Sequence, residues 1–331
     1  MSSSGRADIG PVRPLPPAPG DLLDRARAAF LGVAVGDALG ATTEFMTPKE
    51  IRDKHGVHDQ VTGGGWLRLK PGQVTDDTEM SLCIARAVSD NGGWNLRAVA
   101  DAFAGWLRGN PADVGATCRH GIRNYMLKGR LEAPPNDGDA GNGAVMRMAP
   151  VALLTLGDGE MLDRLAVEQA HLTHNHPLSD AACRCIGRMV HRGVSGAAKD
   201  NLYEEARGLA ALHPAFRFDP YHGEASAYVV HTLQTVFHHF FVSSNFEECL
   251  VRTVNQGGDA DTTGAIAGMI AGAFYGTSAI PGKWLGRLDE TVRQEVEAHA
   301  VRLACLSPLV AGAGSRRNAE MPEGGGGRKG R

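Results

Sequence analysis

Two segments at opposite ends of the chain set the strongest constraint on the fold. FLGVAVGDALGA (30–41) and TTGAIAGMIAGAFYG (262–276) are apolar, helical in spacing and rich in glycine and alanine. Small residues cost helix propensity but let a backbone approach its neighbour closely, so both segments belong at the centre of the molecule. Between them the apolar spacing is that of amphipathic or buried helices, and the period-two alternation of strands is scarce. The pattern predicts helices over about 21–40, 76–90, 95–108, 113–129, 143–156, 160–173, 178–194, 201–211, 224–240, 246–255, 262–275 and 289–304. The chain therefore reads as all-α, in a single compact domain over 21–308. No internal period of about 30–45 residues marks a solenoid.

Composition narrows the function to a site. The 331 residues carry 43% hydrophobic and 21% charged side chains, which is globular, and a net charge of −3 favours neither nucleic acid nor a membrane surface as partner. Cys83, Cys118, Cys183, Cys185, Cys249 and Cys305 form no CxxC pair and read as buried thiols in a reducing cytoplasm. Residues 1–20 lack the apolar run of a signal peptide and read as a disordered arm; 309–331, ending GGGGRKGR, reads as a flexible tail. No run is long enough to span a bilayer.

GQVTDDTEMSLCIARAV (72–88) and NQGGDADTTGAIAGMIAGAFYG (255–276) each place aspartates and threonines at the start of an apolar helix. In one reading these are independent caps, with Thr75, Asp76 and Asp77 in one first turn and Asp259, Asp261, Thr262 and Thr263 in the other. In the second reading they converge, joined by Glu44 from GATTEFMTPKE. Five carboxylates in one place repel one another unless protonated or neutralised by cations, and an all-oxygen donor set suits Mg²⁺ or Mn²⁺. The positive end of a helix dipole opposes a cation, so one acidic cap rarely binds metal; paired caps alter that balance.

The loop in PPNDGDAGNGAVMRMAP (134–150) runs into a helix, and its Gly141, Asn142 and Gly143 are either amide donors to a phosphate or a left-handed turn with an asparagine cap. In THNHP (173–177), His174 and His176 read as caps or ligand contacts rather than zinc ligands. His238 and His239, inside a helical pattern, read as structural.

In order and separation, VAVGDALGATTEF, GGGWLRLKPGQVTDDTEM, AGNGAVMRMAP, THNHPLSD and NQGGDADTTGAIAG resemble the ADP-ribosylglycohydrolase family over roughly 25–285. GGGWLRLKPGQVTDDTEMS and DVGATCRHGIRNY are most similar to its bacterial, dinitrogenase reductase-activating branch. The resemblance implies an orthogonal all-helical fold with two divalent cations, Mn²⁺ or Mg²⁺. It implies Thr75, Asp76, Asp77, Asp259, Asp261 and Thr262 as metal-binding residues and Glu44 as the glutamate beside the metals. It further implies Asp113 near the arginine-linked ribose, Gly141, Asn142, Gly143 and His174 around ADP-ribose, and Tyr228 against adenine. The implied reaction removes ADP-ribose from an arginine of nitrogenase iron protein. The implied partners are a PII signalling protein and a membrane ammonium channel, giving a cytoplasmic protein reversibly recruited to the membrane. Hydrolysis of another ADP-ribosyl linkage, a crystallin-like structural role and non-catalytic ADP-ribose binding are the alternatives the residues leave open.

Overall fold

A computed structural model describes residues 19–312. The helices are α1 (Pro19–Gly40), α2 (Pro48–His55), α3 (Asp76–Asn91), α4 (Leu96–Arg108), α5 (Ala116–Lys128), α6 (Ala149–Leu154) and α7 (Gly159–His171). They continue as α8 (Pro177–Val194), α9 (Lys199–Leu212), α10 (Val229–Val242), α11 (Phe246–Val254), α12 (Ala260–Tyr275), α13 (Gly282–Leu285) and α14 (Glu290–Leu306). Among the described residues extended pairing is limited to two isolated bridges, Gly64 with Leu69 and Gly141 with Tyr228. The all-α reading therefore holds.

The two glycine-rich segments are the central pair. A Cβ built on Gly32 would lie 2.0 Å from the Gly268 carbonyl oxygen, one on Gly36 2.0 Å from that of Gly264, and one on Gly40 2.1 Å from that of Ala260. Residue numbers rise along α1 as they fall along α12, so the helices are antiparallel with their backbones in contact. Any side chain at these positions would push them apart. The C-terminal end of α1, and the Thr42–Glu44 turn after it, are thereby fixed beside the N-terminal end of α12. α12 is buried from Ala260 through Ala273, and α3, α8 and α14 pack against α1.

Several boundaries differ from the periodicity. Helix α5 begins at Ala116 rather than 113, with Gly115 as its cap, so Asp113 stands before the helix. The stretch expected as helix over 143–156 is a chain of turns followed by the six residues of α6. Its Gly141–Gly143 entry is held by loop contacts. Helix α10 begins at Val229, five residues later than its apolar spacing indicates. α2 and α13 are short, and α2 is mostly polar with only Ile51 buried; a capping box at Thr47 and Glu50 starts it. Most of the arm over 1–20 and of the tail over 309–331 lies outside the described residues. Pro19 and Gly20 already belong to α1, and the Leu309 amide donates to the Leu156 carbonyl at 2.9 Å. Cys83, Cys118, Cys183, Cys185 and Cys249 are buried as expected, whereas Cys305, near the end of α14, is exposed. No helix among the described residues is long and apolar enough to cross a membrane.

Candidate metal and substrate site

At the start of α3 the Thr75 side chain does not cap the helix. Asp37, in the last turn of α1, does so across the interface. Its carboxylate accepts from the Thr75 amide at 3.0 Å, the Thr78 amide at 3.2 Å and the Thr78 hydroxyl at 2.5 Å. The first-turn donors that a cap residue normally satisfies are thus taken by another helix, which releases Asp76 and Asp77 from capping. Asp76 Oδ2 accepts the Gly115 amide at 3.1 Å. Asp77 Oδ2 lies 3.2 Å from the Thr75 hydroxyl and 3.4 Å from the Thr262 hydroxyl, so the latter contact joins the two acidic helix starts. Asp77 Oδ1 is buried and has no hydrogen-bond partner among the described residues.

At the start of α12, Asp261 Oδ1 accepts the Thr262 amide at 2.9 Å. Asp259 does not cap with its side chain; its Oδ2 accepts from Asn142 Nδ2 at 2.6 Å. From the turn after α1, Glu44 Oε2 accepts the Trp66 indole N–H at 2.5 Å. Carboxylate oxygens of Glu44, Asp113 and Asp261 lie within 4.8 Å of one another.

These groups share a cavity of about 560 Å³ whose wall includes Glu44, Asp76, Asp113, Asp259, Asp261 and Thr262, together with Gly141, Asn142, Gly143 and His174. Thr75 and Asp77 are buried behind that wall. No lysine or arginine lines it among the described residues. Burial pushes the Glu44 carboxyl up to about 8, and Asp259, Asp113 and Asp76 add repulsion against the lowering effect of the Trp66 N–H. Asp76 is pushed up to about 7 by burial and then by the charge of Asp113. Asp77 and Asp261 are held well above the carboxylate range, by burial first and next by Asp37 and Asp77 respectively. Asp113 is raised by burial. A hard divalent cation fits this set: the donors are all oxygen, the cavity wall supplies no counter-charge, and Asp77 Oδ1 is an unpaired acceptor.

The glycine-rich loop has a different reason for its composition than a left-handed turn, since neither Gly141 nor Gly143 has a positive φ. A Cβ on Gly141 would lie 3.0 Å from His174 Nε2, and one on Gly143 would lie 2.8 Å from His174 Cε1 and 2.9 Å from Cys118 Sγ. The glycines make room for the imidazole. The Asn142 amide donates to the Ala227 carbonyl at 3.0 Å, so it does not face the cavity as a free donor. Its side chain neither caps a helix nor points away; it bridges Asp259 and the Thr232 hydroxyl.

Tyr228 stands at the cavity edge, pairing by backbone with Gly141, but does not line the cavity and is 38% exposed with its ring against His231. Of the two histidines in THNHP, His174 lines the cavity and His176 caps α8 through Nδ1. His238 stacks on Tyr221 and His239 is buried, both outside the cavity.

Sequence reasoning missed Asp37 and Trp66. The signal for Asp37 was one acid in an otherwise apolar helix, which is rarely buried without a partner. Trp66, with Phe45, forms an exposed aromatic pair at the rim with ring centroids 5.3 Å apart. Nothing in GGGWLRLK ties that indole to Glu44.

Fold and site define an all-helical protein whose central helix pair carries a carboxylate-lined cavity suited to a hard cation and a polar ligand. The chain belongs to the ADP-ribosylglycohydrolase family, which it matches over residues 18–313. It is 54% identical over 286 residues to ADP-ribosyl-[dinitrogen reductase] glycohydrolase of Rhodospirillum rubrum, covering 86% of this chain and 97% of the relative. It is 32% identical to ADP-ribosylarginine hydrolase Tri1 of Pseudomonas putida, over 88% of this chain and 81% of that one. A solved structure titled ADP-ribosylglycohydrolase-related protein complex superposes with a TM-score of 0.76 at 34% identity, covering 87% of this chain and 99% of that chain.

Proposed function

We propose that this protein hydrolyses the bond between ADP-ribose and an arginine side chain of a target protein, with ADP-ribosylated dinitrogen reductase as substrate, and so restores the unmodified arginine. The observation that carries the reading is the convergence of two separately encoded acidic helix starts on one cavity, beside the glycine loop and His174. The relatives named for the same linkage, at 54% and 32% identity, support the substrate class.

Thr75, Asp76, Asp77, Asp259, Asp261 and Thr262 are the residues we assign to two divalent cations, Mn²⁺ or Mg²⁺. Such ions supply binding of sugar hydroxyls and acidification of a water. The protein's own residues have separate tasks. Cleavage at the anomeric carbon develops oxocarbenium character, which the surrounding carboxylates stabilise. Glu44, fixed by the Trp66 indole and displaced toward a proton-accepting range by burial, takes the proton of the attacking water. Asp113, free of any capping duty for α5, orients the guanidinium through a charge-assisted hydrogen bond. Gly141, Asn142, Gly143 and His174 hold the ADP-ribose, with Tyr228 at the edge toward adenine. A PII signalling protein and a membrane ammonium channel are the regulatory partners we assign, for a protein acting in the cytoplasm.

The test is incubation with ADP-ribosylated dinitrogen reductase, with and without Mn²⁺, and quantification of released ADP-ribose. Metal-dependent release with recovery of the unmodified arginine is expected. Absence of release from this substrate and from ADP-ribosylarginine would contradict the reading.

A further inference from the structure

Arg147 is fully buried, yet makes no ion pair among the described residues. Its guanidinium is held by neutral groups. Nε donates to Gln169 Oε1 at 2.7 Å, while Nη2 donates to the Gln169 carbonyl at 2.9 Å and to the Thr173 hydroxyl at 2.8 Å. Among the described residues Nη1 reaches only the sulfurs of Met80 and Cys118, and Cζ sits 4.8 Å from the centre of the Phe103 ring. A buried cation without a carboxylate is costly to keep, so its one link toward the cavity matters.

That link is Thr173. Its oxygen receives the Arg147 proton and lies 2.8 Å from His174 Nδ1. If Nδ1 carried a proton and donated it to Thr173, the hydroxyl's own proton would be buried without an acceptor, since no other partner lies within reach among the described residues. A ring protonated on both nitrogens would set a second cation near Arg147; burial first, and Arg147 next, hold the His174 pKa down to about 3. Assigned from this network, the ring is neutral, Nδ1 is an acceptor and the proton is on Nε2. Nε2 faces the gap beside Gly141 and Gly143, lines the cavity side and meets no protein acceptor among the described residues.

We propose that Arg147 and Thr173 form a clamp that fixes the His174 tautomer, so that the cavity presents one permanent Nε2–H donor to an oxygen of the bound ADP-ribose. The proposal rests on the reading that the cavity binds ADP-ribose. In a cavity lined by carboxylates, an oxygen-rich anionic ligand meets few donors from the protein, and a ring free to exchange tautomers would offer a lone pair for part of the time. Arg147 and Thr173 are positioning residues, acting only through His174.

The experiment uses the full chain with Mg²⁺ and ¹⁵N-labelled histidine. Ring ¹⁵N resonances of His174, assigned by their disappearance in His174→Gln, report the tautomer, and titration with free ADP-ribose reports affinity. In the wild-type chain Nε2 should be protonated and Nδ1 bare. Thr173→Val, nearly isosteric, should populate both tautomers and weaken ADP-ribose binding about five- to tenfold, the scale of one neutral hydrogen bond, with Mg²⁺ occupancy unchanged. Thr173→Ser should restore both readouts. Arg147→Met should mix the tautomers in the same way; a folded Arg147→Met chain that keeps Nε2–H would remove Arg147 from the clamp. Should that variant not fold, the Thr173 pair decides the matter alone. A wild-type ring protonated on Nδ1, or a Thr173→Val chain that keeps Nε2–H and binds ADP-ribose within twofold of wild type, would overturn the proposal. A wild-type chain with the fixed tautomer that binds no ADP-ribose would instead overturn the functional reading, and with it the assigned acceptor.

Discussion

At the start of α3 the third-position amide, that of Thr78, is taken by Asp37 from another helix, whereas at the start of α12 the equivalent amide, that of Thr262, is taken by Asp261 one residue before it. Asp77 and Asp261 occupy the same second position of their helices. One is relieved of local duty by a distant residue and left with an unpaired oxygen; the other is partly engaged by its own helix. The cap and the site are therefore alternatives that a protein can separate by supplying the cap from elsewhere. At α12 that separation is incomplete. Asn142 then holds Asp259 from the side, linking this start to the glycine loop.

The largest effect expected from this contrast is on turnover. Asp77→Asn and Asp261→Asn each keep size and hydrogen-bonding ability but remove charge, and each should lower the rate of ADP-ribose release by about a hundredfold or more, the scale of losing an electrostatic contact of about 3 kcal/mol. Metal-free stability should separate them. Asp77→Asn removes a repelled carboxyl that caps nothing and should be neutral or stabilising, while Asp261→Asn weakens a bond to the Thr262 amide and should cost up to about 1 kcal/mol. Equal destabilisation in denaturant titrations would break the contrast.

Next in size is Asp113, which the apolar spacing placed at a helix start and the fold places before it. Since Gly115 caps α5, Asp113→Ser has no cap to rescue. Asp113→Ala and Asp113→Ser should both slow hydrolysis of ADP-ribosylarginine by about one to two orders of magnitude, as expected for a charge-assisted hydrogen bond of about 1.5–3 kcal/mol. Full activity in the serine variant would remove the guanidinium role.

What was legible from the residues follows the same division. TDDTEM and GGDADTT could be read because their acids are contiguous and sit where a helical pattern begins, and the paired Gly/Ala segments placed both near the centre. Asp37 escaped because its partner amides lie about forty residues away in sequence and meet it only once α1 and α3 pack. Trp66 escaped for the same reason. The glycines at 141 and 143 were read as amide donors to a phosphate or as a left-handed turn; the neighbour that limits them to glycine, His174, comes from the loop between α7 and α8 and is not visible in the local run. Tyr228 was implied by the family resemblance, and the fold leaves it outside the cavity wall.

A smaller effect sharpens the role of Asp37. Asp37→Ala orphans the Thr75 and Thr78 amides at the α3 start and should cost about 2 kcal/mol, measured by denaturant titration of the metal-free chain, against no such loss for Asp77→Asn. A cost below about 0.5 kcal/mol would mean that the cap is not supplied from α1.

The smallest is a pH trend. Glu44 and Asp76, raised by burial to about 8 and about 7, bind protons more tightly folded than unfolded. Their contribution to stability is fully present below the ordinary carboxylate pKa and is lost as pH rises through about 7 to 8. The metal-free chain should therefore melt lower at pH 8 than at pH 5, by a few degrees, and Mn²⁺ should flatten the trend. A melting temperature that rises over this range in chelator would contradict the shared-charge account.

The central claim is that both acidic helix starts serve one metal site. It is tested most directly by titrating Mn²⁺ into the full chain and into Asp77→Asn and Asp261→Asn, with bound metal counted by electron paramagnetic resonance of the free ion. The account expects two Mn²⁺ per wild-type chain, and at least tenfold weaker binding in each variant although the substitutions lie on different helices. Unchanged Mn²⁺ binding in either variant, in a folded chain, would contradict it.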